Sequence, residues 1–322
     1  MGFFKKLFSG KEPSDKERDQ KRDANNFDTL KYNGIQALQM GKSGHAIAYL
    51  THALDLREDE EAHMMLMNAF IRDNDLESAA EVAKELCEQY PGQVSHPINL
   101  AQLLFQLERY DEMGSACAQA IAIDSTRATP HHQLAEKGLA TGDYANAEAE
   151  ATKTIEMDSE FFDSYLLRAR IFQQEKKYTE ALADLEHLRE TGHVNDDVLL
   201  LRGELQEATG QQKEALESYE EVLSENPFSR NAYAKIALLQ IQFEQYEEAE
   251  ETIKDAIDQN GEFSQIIIAR QGLKTAIGDT DGAAEDAELA EKLKAEEEVA
   301  EHKEANLEQE MKEKYNSINP FQ

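Results

Sequence analysis

The sequence predicts an all-α fold, a solenoid of antiparallel helix pairs closed at its end by a capping helix. Three observations carry that expectation. Alanine returns at a fixed spacing, at Ala147, Ala181, Ala215, Ala249 and Ala283, each 34 residues after the last. An aromatic residue stands three positions before it at Tyr144, Tyr178 and Tyr246. Composition agrees: small residues with Leu, Glu, Lys and Gln favour helix, and the six prolines fall near the termini or between the predicted helices. A chain of 322 residues would ordinarily suggest two domains, but a solenoid lengthens without enlarging any single core.

Residues 1–26 read as a flexible segment with a short amphipathic start. In MGFFKKLFSG, Phe3, Phe4, Leu7 and Phe8 stand against Lys5 and Lys6. Such a patch can lie in a membrane interface, or dock on a partner or on a groove of its own chain. Position six is Lys where myristoylation asks for Ser or Thr, and the apolar run is too short for a secretory signal. Residues 11–27 are charged and punctuated by Pro, Asp and Asn, the composition of a linker.

Eight repeats of about 34 residues then span 27–297. Each reads as turn, aromatic, two mostly polar residues, Ala and an amphipathic helix, as in GDYANAEAEATKTIEMD from Gly142, KKYTEALADLEHLRE from Lys176 and EQYEEAEETIKDAID from Glu244. Carried upstream with one single-residue shortening, the register gives Met113, Ala79 and Ala46. The eighth position, in the first helix of each repeat (helix A), holds Gly34, Met67, Ala101, Ala135, Ala169, Gly203, Ala237 and Gln271. The twenty-seventh, in the second helix (helix B), holds Ala53, Leu86, Ala120, Thr154, Leu188, Val222, Ala256 and Ala290. Mostly small side chains at these places and at the conserved-spacing Ala let two helices approach closely while larger neighbours fill the gap. Pro91 and Pro227 fall just past helix B, and Pro97 and Pro130 fall in the first turn of the next helix A, where a missing N–H costs least. Cys87 and Cys117 take small-residue positions as apolar filler. Without an oxidised framework, a reducing compartment and cytoplasmic location are expected, with peripheral attachment at the inner membrane face as the alternative the N-terminal patch leaves open.

After the repeats, Ala287 to Tyr315 carries a sparse apolar stripe of Leu289, Leu293, Leu307, Met311 and Tyr315 among Glu, Lys and Ala. This is the pattern of a polar helix capping the open end of the solenoid, with residues 298–322 its end and a polar tail. A dimerising coiled coil is the alternative, though the stripe between Leu293 and Leu307 is held only by Val299. No signature fixes the oligomeric state.

The repeating pattern resembles the tetratricopeptide repeat family, a 34-residue helix–turn–helix with aromatic and small residues in helix A and an Ala early in helix B. The resemblance covers about five-sixths of the chain. It departs from the family pattern at Met113, and in the eighth repeat at Gln271 and Lys274, where a terminal repeat has a neighbour on one side only. The resemblance implies a right-handed superhelix whose inner face binds protein or peptide. Positions 5, 9 and 12 of helix A follow i, i+4, i+7, and in the family this stripe lines the inner surface. Here it gives Met64, Asn68 and Ile71; Ile98, Gln102 and Phe105; His132, Glu136 and Leu139; and Leu166, Arg170 and Gln173. An apolar row edged with amide and charged groups suits an extended or helical peptide. Family members that grip a terminal carboxylate need Lys and Asn, then Asn, then Lys and Arg; here Lys31 is followed by Ile35, then Met65 and Asn68, then Ser95 and Asn99, so the basic pair is missing.

Catalysis has no support in the sequence. No GxGxxG, Walker loop, G-x-S-x-G or HExxH occurs, the two Cys are too far apart for a metal knuckle, and no cofactor or metal is implied. His131 and His132 are neighbours and cannot face one point of a helix; His131 falls where core packing is expected. The balance of 33 basic to 65 acidic residues, a net charge of −32, repels phosphate and excludes nucleic acid as a partner. It keeps an extended chain soluble and also favours basic partners. The expected function is thus a non-enzymatic scaffold holding a protein or peptide, basic or apolar, in a concave groove. A peripheral membrane adaptor and a chaperone-like or accessory subunit of an enzyme complex are the alternatives.

Overall fold

The computed structural model describes the backbone of residues 15–317 and the side chains of residues 26–300. Sixteen α-helices lie within them: α1 (Asp15–Gln39), α2 (Ser43–Leu56), α3 (Glu60–Arg72), α4 (Leu76–Gln89), α5 (Ser95–Gln106), α6 (Tyr110–Ile123), α7 (Thr129–Thr141), α8 (Tyr144–Met157), α9 (Phe162–Gln174), α10 (Tyr178–Glu190), α11 (Asp196–Ala208), α12 (Gln212–Glu225), α13 (Arg230–Gln242), α14 (Tyr246–Asn260), α15 (Ser264–Ile277) and α16 (Thr280–Ser317). They follow one another as eight antiparallel A/B pairs, each odd-numbered helix being helix A of its repeat. The chain divides into two compact units, Met1–Pro130 with Lys312–Gln322, and His131–Met311. Helices α1–α6 lie in the first and α8–α15 in the second, with α7 starting at the boundary.

The turn inside every repeat is the same physical object. In this turn one residue of each repeat has a positive φ: Gly41, Asn74, Glu108, Gly142, Lys176, Gly210, Glu244 and Gly278. The amide of the residue after it donates to a carbonyl five positions back, as Lys177 does to Phe172 at 2.8 Å and Arg109 to Leu104 at 2.8 Å. That closure satisfies the carbonyls a helix end leaves open and reverses the chain into helix B. In some repeats an acidic residue then caps helix B; Asp75 accepts from the Ser78 amide at 3.2 Å.

The packing positions read from the sequence are the core. The Ala and Met113 of position 20 and all eight residues of position 27 are buried, as is position 8 in every repeat but the last, where Gln271 is half-buried. Position 8 faces position 24 of its own repeat, and their volumes compensate. Gly34 opposes Leu50 and Gly203 opposes the Tyr219 ring, so closely that an added Cβ would meet Leu50 Cγ at 2.6 Å and Tyr219 Cζ at 2.6 Å. By the same sixteen-residue offset Met67 stands with Ala83 and Ala101 with Cys117. Both cysteines are buried, and burial pushes the Cys87 thiol up to about 11.

Several polar residues enter this interface together with a partner. Arg168 on α9 donates two bonds to Asp184 on α10, at 2.8 and 2.7 Å, and a third to Thr152 at 3.1 Å. Arg270 and Lys274 on α15 hold the buried Asp286 at 2.8 and 2.9 Å. His131 is buried and pairs with Glu150 Oε2 at 2.5 Å, so it does pack in the core, with a polar tie as well.

Two stretches differ from the expectation. Helical backbone begins at Asp15, so it runs through residues 15–26, where a linker was expected. After Pro13 no Gly or Pro interrupts a run rich in Lys, Glu, Arg, Gln and Ala, all strong helix formers. At the other end, helix B of the eighth repeat and the capping helix are one 38-residue helix, α16. Within the described side chains, Glu297 of α16 accepts from the Ser264 amide at 3.1 Å and hydroxyl at 2.6 Å, covering the start of α15.

Candidate functional site

Positions 5, 9 and 12 of helix A lie beside the buried stripe and none of the twelve residues named from the sequence is fully buried. In the first compact unit they lie on α3 and α5. Met64 packs partly against the core, Ile71 is 38% exposed, Gln102 is exposed and Asn68 and Ile98 are half-buried. The Phe105 ring is fixed edge-to-face against Tyr110, with centroids 5.9 Å apart. Helix α5 therefore presents a fixed aromatic ring beside an amide.

In the second compact unit the row runs along α7 and α9. His132 Nδ1 pairs with Ser164 Oγ at 2.7 Å, and its ring leans on Phe161 with centroids 4.8 Å apart. Burial holds the His132 imidazole below its ordinary value of 6.5. Burial, with the nearby Asp163 charge adding to it, pushes the Glu136 carboxyl above its ordinary 4.5. Leu166 is half-buried.

Three of the six residues converge on one cleft of about 520 Å³, where Leu139, Arg170 and Gln173 meet Tyr144, Asp197, Leu200, Leu201 and Glu204. Arg170 Nη2 donates to Asp197 at 3.0 Å, and Gln173 Nε2 donates to Glu204 at 3.4 Å. The cleft therefore has an apolar floor from Leu139, Leu200 and Leu201 and a rim of one ion pair and one amide–carboxylate contact.

Leu200 and Glu204 were missed by the sequence reading, although they hold positions 5 and 9 of the sixth repeat and the register alone reaches them. The same holds for Leu238 on α13 and Ile268 on α15, which are 43% and 47% exposed at positions 9 and 5 of the last two repeats. The N-terminal candidates Phe3, Phe4, Lys5, Lys6, Leu7 and Phe8 lie outside the described residues. Among the described residues no group of three or more His, Cys, Asp or Glu could hold a metal ion, and no helix is long and apolar enough to cross a membrane.

Comparison with known proteins gives the same architecture. No curated protein matches the chain. A tetratricopeptide repeat protein from Parabacteroides merdae is similar over 76% of this chain and 96% of its own, at 19% identity and a TM-score of 0.56. Pseudomonas aeruginosa pilF is similar over 65% of this chain and 96% of its own, at 19% identity and a TM-score of 0.52. YrrB, described as a TPR protein with an unusual peptide-binding site, is similar over 60% of this chain and 99% of its own, at 20% identity and a TM-score of 0.50. Tetratricopeptide repeat profiles match residues 33–94, 98–127, 134–191, 197–229 and 231–263. With most of its length matched in this way, and its helices paired in the same register, the chain belongs to the tetratricopeptide repeat family.

Proposed function

We propose that the chain is a non-enzymatic interaction scaffold that holds a peptide segment of another protein along positions 5, 9 and 12 of its A helices. The observation that supports this best is the cleft over α7, α9 and α11, with its leucine floor and its Arg170–Asp197 and Gln173–Glu204 rim. Leucines desolvated by a ligand supply affinity, and hydrogen-bonding groups at the rim fix the ligand's register. Fixed Phe105 and exposed Ile71 offer the same kind of surface in the first compact unit. YrrB, of the same fold, is described as binding peptide, and a comparable use is proposed here.

The test is selection of a random nonapeptide phage library on the full chain, followed by binding of the recovered peptides to Arg170→Glu and Phe105→Ala. Peptides whose binding falls with either change, while the circular-dichroism melting curve is retained, support the groove. Recovered peptides indifferent to both changes sink it.

A second reading rests on Phe3, Phe4, Leu7 and Phe8 beside Lys5 and Lys6, which suit a peripheral membrane adaptor. Flotation with anionic liposomes tests it: equal flotation of the full chain and of a chain beginning at Asp28 removes the tether.

A further inference from the structure

The second compact unit has another cleft, away from the A-helix stripe. It is a groove of about 660 Å³ between α14 and α15, on the side that carries positions 24 and 28 of helix B. Ile253, Ile257 and Leu273 form its floor, and Ile277 stands 58% exposed at its edge. The equivalent groove of the first compact unit, over α4 and α5, is walled by Glu112, Ser115, Ala116 and Gln119 of the following helix, α6. Over α14 and α15 no described residue of α16 lines the groove; position 19, which is Glu112 in the third repeat, is Gly282 in the eighth. The last repeat therefore leaves open an apolar floor that the third repeat walls in.

Charge narrows what this groove accepts. Two cations of its lining are already committed: Arg270 and Lys274 hold Asp286 at 2.8 and 2.9 Å, and Arg270 also meets Glu262 at 3.3 Å. Glu247, Glu250 and Asp258 stand exposed at the rim and, among the described residues, make no ion pair. Lys254 is the remaining cation of the lining. An acidic rim over an apolar floor fits a segment that carries both lysines and large apolar side chains. Of the stretches beyond the described side chains, 9–25 has no large apolar residue and 301–322 holds more Glu than Lys. Residues 3–8, Phe-Phe-Lys-Lys-Leu-Phe, hold two lysines, no carboxylate and four large apolar side chains.

We propose that the groove between α14 and α15 takes residues 3–8 of a second copy of the chain. The Phe and Leu side chains of the segment cover Ile253, Ile257, Leu273 and Ile277, while Lys5 and Lys6 reach Glu247, Glu250 and Asp258 at the rim. Segment and groove are different surfaces, so the contact is head-to-tail. Each added copy brings one unfilled segment and one unfilled groove, and association runs past the dimer unless the copies close into a ring. This contact is independent of the peptide groove on the A helices, and it gives the Phe3–Phe8 patch a protein surface to cover instead of a lipid one.

Sedimentation equilibrium of the full chain tests it. The weight-average mass should rise above that of the monomer with concentration, and added salt should lower the association by screening the rim. Phe4→Asp spoils the segment and Ile277→Lys spoils the groove, and each should weaken association by about tenfold or more. Mixed together, the two variants should form a one-to-one complex and nothing larger, because one keeps its groove and the other its segment. A synthetic peptide of residues 1–14 should compete that complex apart. Ile277 is exposed, so its replacement should leave the melting curve unchanged, which separates a lost contact from a damaged fold. Association untouched by either change would overturn the proposal. A natural chain that stays monomeric at every concentration would overturn it too, and flotation of the 1–14 peptide with anionic liposomes would then favour the membrane reading.

Discussion

Gly203 lies under the ring of Tyr219, so close that a methyl group on Gly203 would sit 2.6 Å from Cζ. The ring is fully buried and its hydroxyl donates to Glu207 Oε1 at 2.5 Å, leaving it no route away. Burial, reinforced by Glu207, raises the phenol's pKa and keeps it protonated as that donor. Gly203→Ala should therefore destabilise the second compact unit by about 1–3 kcal/mol, the usual range for overpacking. Adding Tyr219→Leu should recover part of the loss, because Ala169 and Leu185 already form that pair one repeat earlier. Denaturant midpoints of the single and double variants check this; equal destabilisation of both would mean the ring is not the obstacle.

Glu108, Lys176 and Glu244 occupy the left-handed turn position with φ of 56°, 61° and 61°, where four other repeats use glycine. An L side chain pays a steric penalty there. Each of the three is exposed, so replacement by glycine removes strain without removing buried contacts. Glu108→Gly, Lys176→Gly and Glu244→Gly should each stabilise by up to about 1 kcal/mol, and the triple variant should show roughly additive gains in thermal melting.

Buried and exposed ion pairs should behave differently. Asp184→Ala strands the Arg168 guanidinium in the α9–α10 interface and should cost about 3 kcal/mol or more. Glu112→Ala breaks an equally short contact with Arg109 on the surface, at 2.7 Å, and should leave the denaturant midpoint unchanged within error.

The acid limb of stability has assignable parts. Burial alone would raise the Asp286 carboxyl, but hydrogen bonds from Arg270 and Lys274 outweigh it and hold the group below 3.8. Its contribution is present above pH 3.8 and is lost as pH falls through the depressed folded value. Asp286→Asn should accordingly cost more stability at pH 7 than at pH 3. His132 acts earlier: its folded value lies below 6.5, so the unfolded chain binds more protons and stability falls as pH drops from 6.5. Glu136 works in the opposite sense, since its folded value lies above 4.5 and protonation relieves it as pH falls toward that figure. His132→Asn should flatten the melting temperature between pH 7 and pH 5.5.

The sequence carried the fold because a period of about 34 residues repeats the same packing problem eight times. Ala46 and Ala249 are buried for one reason, and any single repeat could be vague while the register held. What it did not show was α16, because a helix end is set by capping and neighbours, and no Gly or Pro marks one after Gly282 in that stretch. The left-handed turns were hidden where Glu108, Lys176 and Glu244 replace glycine. The candidate cleft was half legible: position 5, 9 and 12 arithmetic reached Leu139, Arg170 and Gln173 of its lining, and the same arithmetic would have reached Leu200 and Glu204. Asp197 could not come from that stripe, since it sits at position 2 and meets Arg170 only across two helices.

The central claim is that ligand lies on the A helices, and site-specific photo-crosslinking addresses it most directly. A benzophenone amino acid placed at Gln173 on α9 is compared with one at the exposed Glu217 on α12, using the tightest library peptide carrying an affinity tag. The account predicts a crosslinked product from position 173, competed away by untagged peptide, and little from position 217. Efficient, competable crosslinking from position 217 with none from position 173 would contradict it.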